Sequence, residues 1–339
     1  MAVATGATIR MLAEMLQRLF ERSLDDTAQA AARDGQWLPA LWAEVEEMGL
    51  PLALLSEDQG GFGLSAAEAG EALRLLGRYA MPLPVAETMA ANRLFAEAGL
   101  DLASGAAGLA RAGDGSITDG RLTGTATRVA WGEHLDCLAL AVGDTLYRVP
   151  RDGWTIAETG SSANFHPRPT LAIDWVVDAS APLPYCPLTA GAAMRAFQIA
   201  GALEAALDLT LEHTATRVQF GKPLQKNQVV QHELAKLAGE LACATAAADL
   251  AFEALERGDL LGVAAGTLRA REAAGAGAAI ATQMHGAIGF TREYPLHLHT
   301  TALWAWRDEF GGQVMWAKFL GQAALDAGGP GYWPMVTAL

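Results

Sequence analysis

The chain has 339 residues, 51% of them hydrophobic, with 38 acidic against 24 basic residues and a formal net charge of −14. That length and apolar share suffice for one or two sizeable cores, so about two domains are expected. The negative surface repels nucleic acid phosphates and anionic lipid, which excludes both as partners and means that any anionic ligand needs local Arg or Lys. Cys137, Cys186 and Cys243 follow no CxxC or metal-ligand spacing. Buried free thiols and a cytoplasmic location are expected of them. Neither a secretory signal nor a transmembrane run is expected from the N-terminal stretch, which instead shows helical periodicity.

Apolar residues at helical spacing predict helices over 8–22 and 27–48, through Ile9, Leu12, Leu16 and Leu19, then Leu38, Leu41, Val45 and Met48, with Gly49 as the stop. A glycine-rich loop follows, and Ser65 with Glu68 three residues on reads as an N-cap and its capping-box partner. Helices are predicted over 66–79 and 84–99. Between about 114 and 180 Gly and Asp punctuate short runs around 121–124, 137–142, 145–149 and 171–177, the pattern of a small β-barrel or sandwich. Long Ala/Leu helices are predicted over 188–216, 226–257 and 259–287, with a final one over 309–326. Their alanine-rich faces suit close packing in a four-helix bundle. The fold class is therefore mostly α with a small middle β-domain. The expected divisions are an N-terminal helical domain over 1–112, a middle β-domain over 113–186 and a C-terminal helical bundle over 187–339.

Three segments stand out, in order. The first is Glu57-Asp58-Gln59-Gly60-Gly61-Phe62-Gly63. The second is Arg217-Val218-Gln219-Phe220-Gly221-Lys222-Pro223-Leu224, followed by Gln228 and Gln231. The third runs Gln283-Met284-His285-Gly286-Ala287-Ile288-Gly289-Phe290-Thr291-Arg292-Glu293-Tyr294-Pro295-Leu296. Together they resemble the P-E-E-x-G-G-x-G, R-x-Q-F-G-K-P-L…Q-x-x-Q and Q-x-x-G-G-x-G-F-T-x-E-Y-P-L segments of acyl-CoA dehydrogenases, across most of the chain. The resemblance implies an FAD-dependent oxidoreductase of lipid metabolism that removes the α-proton and β-hydride of an acyl-CoA thioester. It also implies an electron-transfer flavoprotein or similar acceptor, and a homodimer, homotetramer or heterotetramer with a homologous chain.

Carried onto this sequence, the likeness assigns Arg217, Gln219, Phe220, Gln228, Gln283, Gly286 and Gly289 to the FAD. Arg217 offers a fork of donors suited to a pyrophosphate of the neighbouring subunit's cofactor. Gly286 and Gly289 admit close backbone approach, and the glutamines offer amide donors and acceptors. Each also has a plain reading, as a surface arginine, a helix stop or a solvated glutamine. His285, His297 and His299 lack the spacing of a metal site, so no metal is expected.

Two parts of the family pattern are missing. No T-E-P-x-A-G-S-D segment lies between Leu94 and Gly124, and the position of an aromatic beside the flavin falls on Arg128. Trp131 is the candidate substitute, or else a core tryptophan. A gap-free count from Glu293 puts Phe310 at the position of the catalytic base, which leaves Glu309 and Asp308 as candidates. These acids would equally suit the first turn of the last helix, where an N-terminal dipole favours negative charge. The alternative base position on the first C-terminal helix falls on Gly191, between Ala190 and Ala192, small residues that could leave room for a bulky acyl group. Keeping one half of a shared flavin site and losing the other is the pattern of a non-catalytic partner subunit in a heteromeric enzyme, the alternative to a self-sufficient dehydrogenase.

Overall fold

The computed structural model describes residues 2–219 and 221–338, with side chains from residue 10 onward. The chain folds into two compact units, one comprising the chain up to Ala72 with Met81–Gly191, the other Leu73–Ala80 with Ala192 onward.

The first unit opens with α1 (Ala2–Ser23), α2 (Asp26–Arg33) and α3 (Pro39–Glu47). The single helix expected over 27–48 is thus two, for a local reason. Gly35 takes a left-handed φ of +80°, and Pro39, which lacks an N–H to bond a preceding helical turn, starts the next helix. Asp25 caps α2 by accepting from the Ala28 amide at 2.8 Å. Gly49 ends the helical run in the left-handed conformation, as its position predicted. Ser65 and Glu68 also meet as expected before α4 (Ala66–Arg78), the Ser65 amide donating to the Glu68 carboxylate at 2.9 Å.

Helix α5 (Val85–Ala98) is buried nearly all round, from Val85 to Asn92. Its polar residues are spent inside. Thr88 Oγ1 accepts from the Ala107 amide at 3.0 Å, while Asn92 donates to the Pro51 carbonyl at 3.1 Å and accepts from the Ala103 amide at 2.8 Å. The strands are β1 (Ala107–Arg111), β2 (Ser116–Thr118), β3 (Arg121–Ala126), β4 (Cys137–Val142), β5 (Thr145–Pro150), β6 (Trp154–Glu158), β7 (Thr170–Val176) and β8 (Ser180–Pro182). They form two four-stranded sheets, ordered β1-β4-β5-β8 and β2-β3-β7-β6, and no strand pairing joins the two among the described residues. The sandwich alternative is therefore nearer than a closed barrel. The sheet region also begins at Ala107, within the stretch assigned above to the helical domain. Small residues in β1 hide its strand character, which comes from parallel pairing with β4.

The second unit is built on α6 (Pro187–Thr216), which its Ala192–Thr216 part enters, α7 (Gln228–Glu256), α8 (Leu260–His285), α9 (Leu296–Arg307) and α10 (Gly312–Thr337). Helices α7 and α8 form an antiparallel hairpin, with Asp259 capping α8 through the Leu261 and Gly262 amides at 3.0 and 3.1 Å. The final helix expected over 309–326 corresponds to α10, which starts later, at Gly312, while α9 before it is a helix that the periodicity did not reveal. Phe310 and Gly311, both at positive φ, stand between them and delay the start of α10. Within this unit the last turns of α4 cross α6 at very short range. A Cβ on Gly77 would lie 2.0 Å from the Gln198 carbonyl, and one on Gly201 would lie 1.9 Å from that of Arg74. Arg74 and Arg78 brace the crossing with ion pairs to Glu204 at 3.2 and 3.3 Å, and Arg78 reaches Asp208 at 2.8 Å.

The cysteines differ among themselves. Cys137 is buried, and desolvation pushes its thiol up to about 12. Cys186 is half-buried, and Cys243 is exposed rather than buried, on the outward face of an α7 whose inward positions include Leu237, Ala244 and Ala248. No helix is long and apolar enough to cross a membrane among the described residues.

Candidate functional site

At the C-terminal end of α6 the chain turns into a two-residue-strand hairpin, β9 (Val218–Gln219) with β10 (Lys222–Pro223), in which Gln219 opposes Lys222. Gly221 holds the turn at φ +78°, and the Leu224 amide donates to the Arg217 carbonyl at 2.9 Å. Asn227 then caps α7 through the Val229 amide at 3.1 Å, so Gln228 opens that helix. Helix α8 ends where Gly286 leaves helical geometry at φ +64° and ψ −139°. Because α7 and α8 are antiparallel neighbours, Gln228 and Gln283 stand at the same end of the pair.

Rings tie α6 to this end. The His213 and His285 rings stack with centroids 4.4 Å apart, and Tyr294 leans on His285 at 4.9 Å. The His285 Nδ1–H donates to the Ala281 carbonyl at 2.8 Å, which fixes the tautomer. Burial lowers the pKa of both imidazoles. For His213, repulsion from His285 and Arg217 adds to that effect. Both therefore act near neutral pH as uncharged packing groups. Around them Arg217, Gln219, Gln228, Gln283 and Gly286 are exposed, and Arg217 enters no ion pair among the described residues. Gly289 is buried instead. A Cβ there would come within 3.0 Å of the Thr282 carbonyl and of His285, so this glycine serves internal packing. Phe220 lies outside the described residues. An exposed guanidinium with three carboxamides at one end of a bundle can bind phosphate oxygens, and to that extent these residues fit the dinucleotide of FAD.

The flavin-ring side fits differently. Trp131 is 1% exposed, at φ +53°. Its indole N–H donates to the Pro82 carbonyl at 2.8 Å, and its ring meets Trp37, His134 and His166 at centroid distances of 5.4, 5.9 and 6.1 Å. The candidate flavin aromatic is thus a core tryptophan with no open face, and Arg128 is exposed. Neither of these two positions offers an open aromatic ring to a flavin.

Asp308 and Glu309 follow α9 rather than open α10, so neither acid occupies the first turn of the last helix. Asp308 is the C-cap of α9, with its carboxylate 57% exposed and 3.4 Å from Arg307. Glu309 is buried and paired with Arg195 Nε at 2.7 Å, the two side chains being 2% and 4% exposed. Arg195 also donates to Gln198 and lies against the Trp306 and Phe310 rings at 5.6 and 5.5 Å. The fully buried Arg271 donates to the carbonyls of Arg307 at 3.1 Å and Glu309 at 2.6 Å. Burial lowers its guanidinium to about 10, and Glu309 partly offsets that. Ala190, Ala192 and Ala193 have no exposed surface. Arg195 and Arg271 escape motif reading. The available signal for Arg195 is a lone charge inside the apolar run 187–203, which demands a buried partner.

Comparison with known proteins matches residues 7–104 to the "Acyl-CoA dehydrogenase, N-terminal domain" family and residues 186–307 to the "Acyl-CoA dehydrogenase, C-terminal domain" family. Over 299 residues the chain is 30% identical to acyl-CoA dehydrogenase IpdE2 of Mycobacterium tuberculosis, covering 86% of this chain and 89% of that one. Its fold is similar to a variant of the Tcur3481-Tcur3483 steroid ACAD, with a TM-score of 0.82 and 24% identity over 95% of this chain and 99% of the other. It is also similar to a chain of the ChsE4-ChsE5 complex from Mycobacterium tuberculosis, with a TM-score of 0.78 and 20% identity over 94% and 97%.

Proposed function

The chain belongs to the acyl-CoA dehydrogenase family, and from that premise we propose that it works as one half of a heteromeric, FAD-dependent acyl-CoA dehydrogenase. It supplies the dinucleotide-facing residues of a shared flavin site to a homologous partner chain, which supplies the flavin-ring contacts. The observation that carries this reading is the asymmetry between the two candidate halves. Arg217, Gln219, Gln228 and Gln283 are exposed at one end of the C-terminal helices, whereas Trp131 is sealed in a core. The two structural relatives named above are themselves described as pairs of differently named proteins.

When bound, FAD supplies the acceptor for the β-hydride of the thioester. This chain's part is binding and orientation. The Arg217 fork pairs with phosphate oxygens, and the glutamine amides fix the dinucleotide's register. Electrons leave to an electron-transfer flavoprotein or similar acceptor. The substrate is an acyl-CoA, and ring-bearing CoA esters head the screen because the Tcur3481-Tcur3483 protein is described as a steroid ACAD.

Co-expression with homologous chains encoded nearby, followed by native mass and flavin content, tests the reading. The expected result is a colourless chain alone and a yellow complex with one FAD per pair that bleaches anaerobically with substrate. A chain that purifies alone with one FAD per subunit and turns over would overturn it in favour of a self-sufficient enzyme.

A further inference from the structure

The structure assigns Glu309 and Arg195 to an internal latch that holds the turn between α9 and α10 on α6, making Glu309 a structural residue and not the proton acceptor that its sequence position suggests. This rests on the reading that the chain is a subunit of an acyl-CoA dehydrogenase, and it concerns a different part of the molecule from the flavin-facing residues.

Three observations converge on the latch. The carboxylate is 2% exposed and its Oε2 lies 2.7 Å from Arg195 Nε, so it is already committed to a charge in a place solvent does not reach. Accepting a substrate proton would cancel the charge that compensates a buried guanidinium. Arg195 is fixed in turn by Gln198 on its own helix and by the Trp306 and Phe310 rings. The backbone is held as firmly as the side chain. Arg271, with no exposed surface, donates to the carbonyls of Arg307 and Glu309, and Trp316 Nε1–H donates to that of Phe310 at 3.1 Å. Swinging Glu309 outward would strip acceptors from a buried arginine and undo the left-handed φ of +49° at Phe310. Trp316, Ala192 and Ala264 form a small apolar core with Phe310 packed against it, so the latch sets where α10 begins. A base must be free to reach an α-C–H within hydrogen-bonding range. This carboxylate is tied at both its side chain and its backbone.

The test uses the assembled complex with substitutions only in this chain. Glu309→Gln should lower the melting temperature by about 5 °C or more, since it leaves a buried arginine uncompensated. Replacing both partners with apolar residues, Glu309→Leu with Arg195→Met, should restore most of that loss. In both complexes kcat should stay within about threefold of the parent, and the acidic limb of the kcat/KM–pH profile should not move, because no base has been removed. A fall in kcat of roughly 100-fold or more in the Glu309→Gln complex, with melting temperature and flavin content unchanged, would overturn the assignment and make Glu309 the base. Should the apolar pair fail to assemble, the kinetics and pH profile of Glu309→Gln decide alone. Flavin content and native mass report the half-site reading separately, and the same Glu309→Gln measurement applies if the active form is a homo-oligomer.

Discussion

His299 in α9 shows how burial, reinforced by nearby positive charge, converts an ordinary residue into a pH-sensitive element of stability. Its ring is 8% exposed, Nδ1 has no hydrogen-bond partner among the described residues, and Arg78 from α4 and His297 on its own helix add positive charge. Desolvation, the largest cause, lowers its pKa to about 4 from the ordinary 6.5. The native state therefore holds this imidazole neutral while the unfolded chain takes up its proton near pH 6.5. Below that, the unfolded state binds more protons, so stability rises with pH across the interval from about 4 to about 6.5. His299 thus contributes in full above pH 6.5 and loses up to about 3 kcal/mol as pH falls toward 4. Urea unfolding at pH 7.5 and pH 5 should show that slope, and His299→Gln should flatten it. An unchanged slope in the variant would assign the pH dependence to other groups.

At the scale of elements, the crossing of α4 and α6 sets one glycine against two opposing effects. Alanine in place of Gly201 would favour the helix by up to about 1 kcal/mol. Its Cβ would also sit 1.9 Å from the Arg74 carbonyl, an overlap with backbone that no side-chain adjustment relieves. Overpacking of this kind costs about 1–3 kcal/mol or more, so Gly201→Ala should be net destabilising, read as a lower urea midpoint with an unchanged slope. A more stable variant would mean that the two helices can separate freely. Periodicity made helices such as α5, α7 and α8 legible from sequence, because 3.6-residue spacing and alanine content persist over many turns. It failed where short-range chemistry decides. Gly35 and Pro39 split α2 from α3, and α9 is a short element between Pro295 and the left-handed run at 310–312. Strand β1 reads A-G-L-A-R, with no β-branched residue, and only tertiary pairing with β4 makes it extended.

For the whole molecule, the ordered motifs made family membership readable because they are local runs of chemistry-bearing residues. The fate of single side chains was not, since burial is a property of the packed chain. Trp131 and Glu309 each occupied a plausible sequence position, and the partners that bury them, the Pro82 carbonyl and Arg195, lie 49 and 114 residues away. That division predicts a one-sided sensitivity of the cofactor. Trp131→Phe removes one buried hydrogen bond and leaves the Pro82 carbonyl unsatisfied, so it should cost about 1–3 kcal/mol in chemical denaturation. It should leave the flavin content of the assembled complex unchanged. Arg217→Ala should do the reverse, with little effect on stability because the side chain is exposed, but a loss of roughly 10- to 100-fold in flavin affinity as charge-assisted bonds to phosphate vanish. Arg217→Lys should recover only part of it, since a point charge cannot reproduce the planar fork, and on a chain with a net charge of −14 the positive charge alone still helps. Flavin release measured against added salt separates the two contributions, because the charge component weakens with ionic strength. Flavin loss in the Trp131→Phe complex comparable to that of Arg217→Ala would show that this chain holds both halves of its own site.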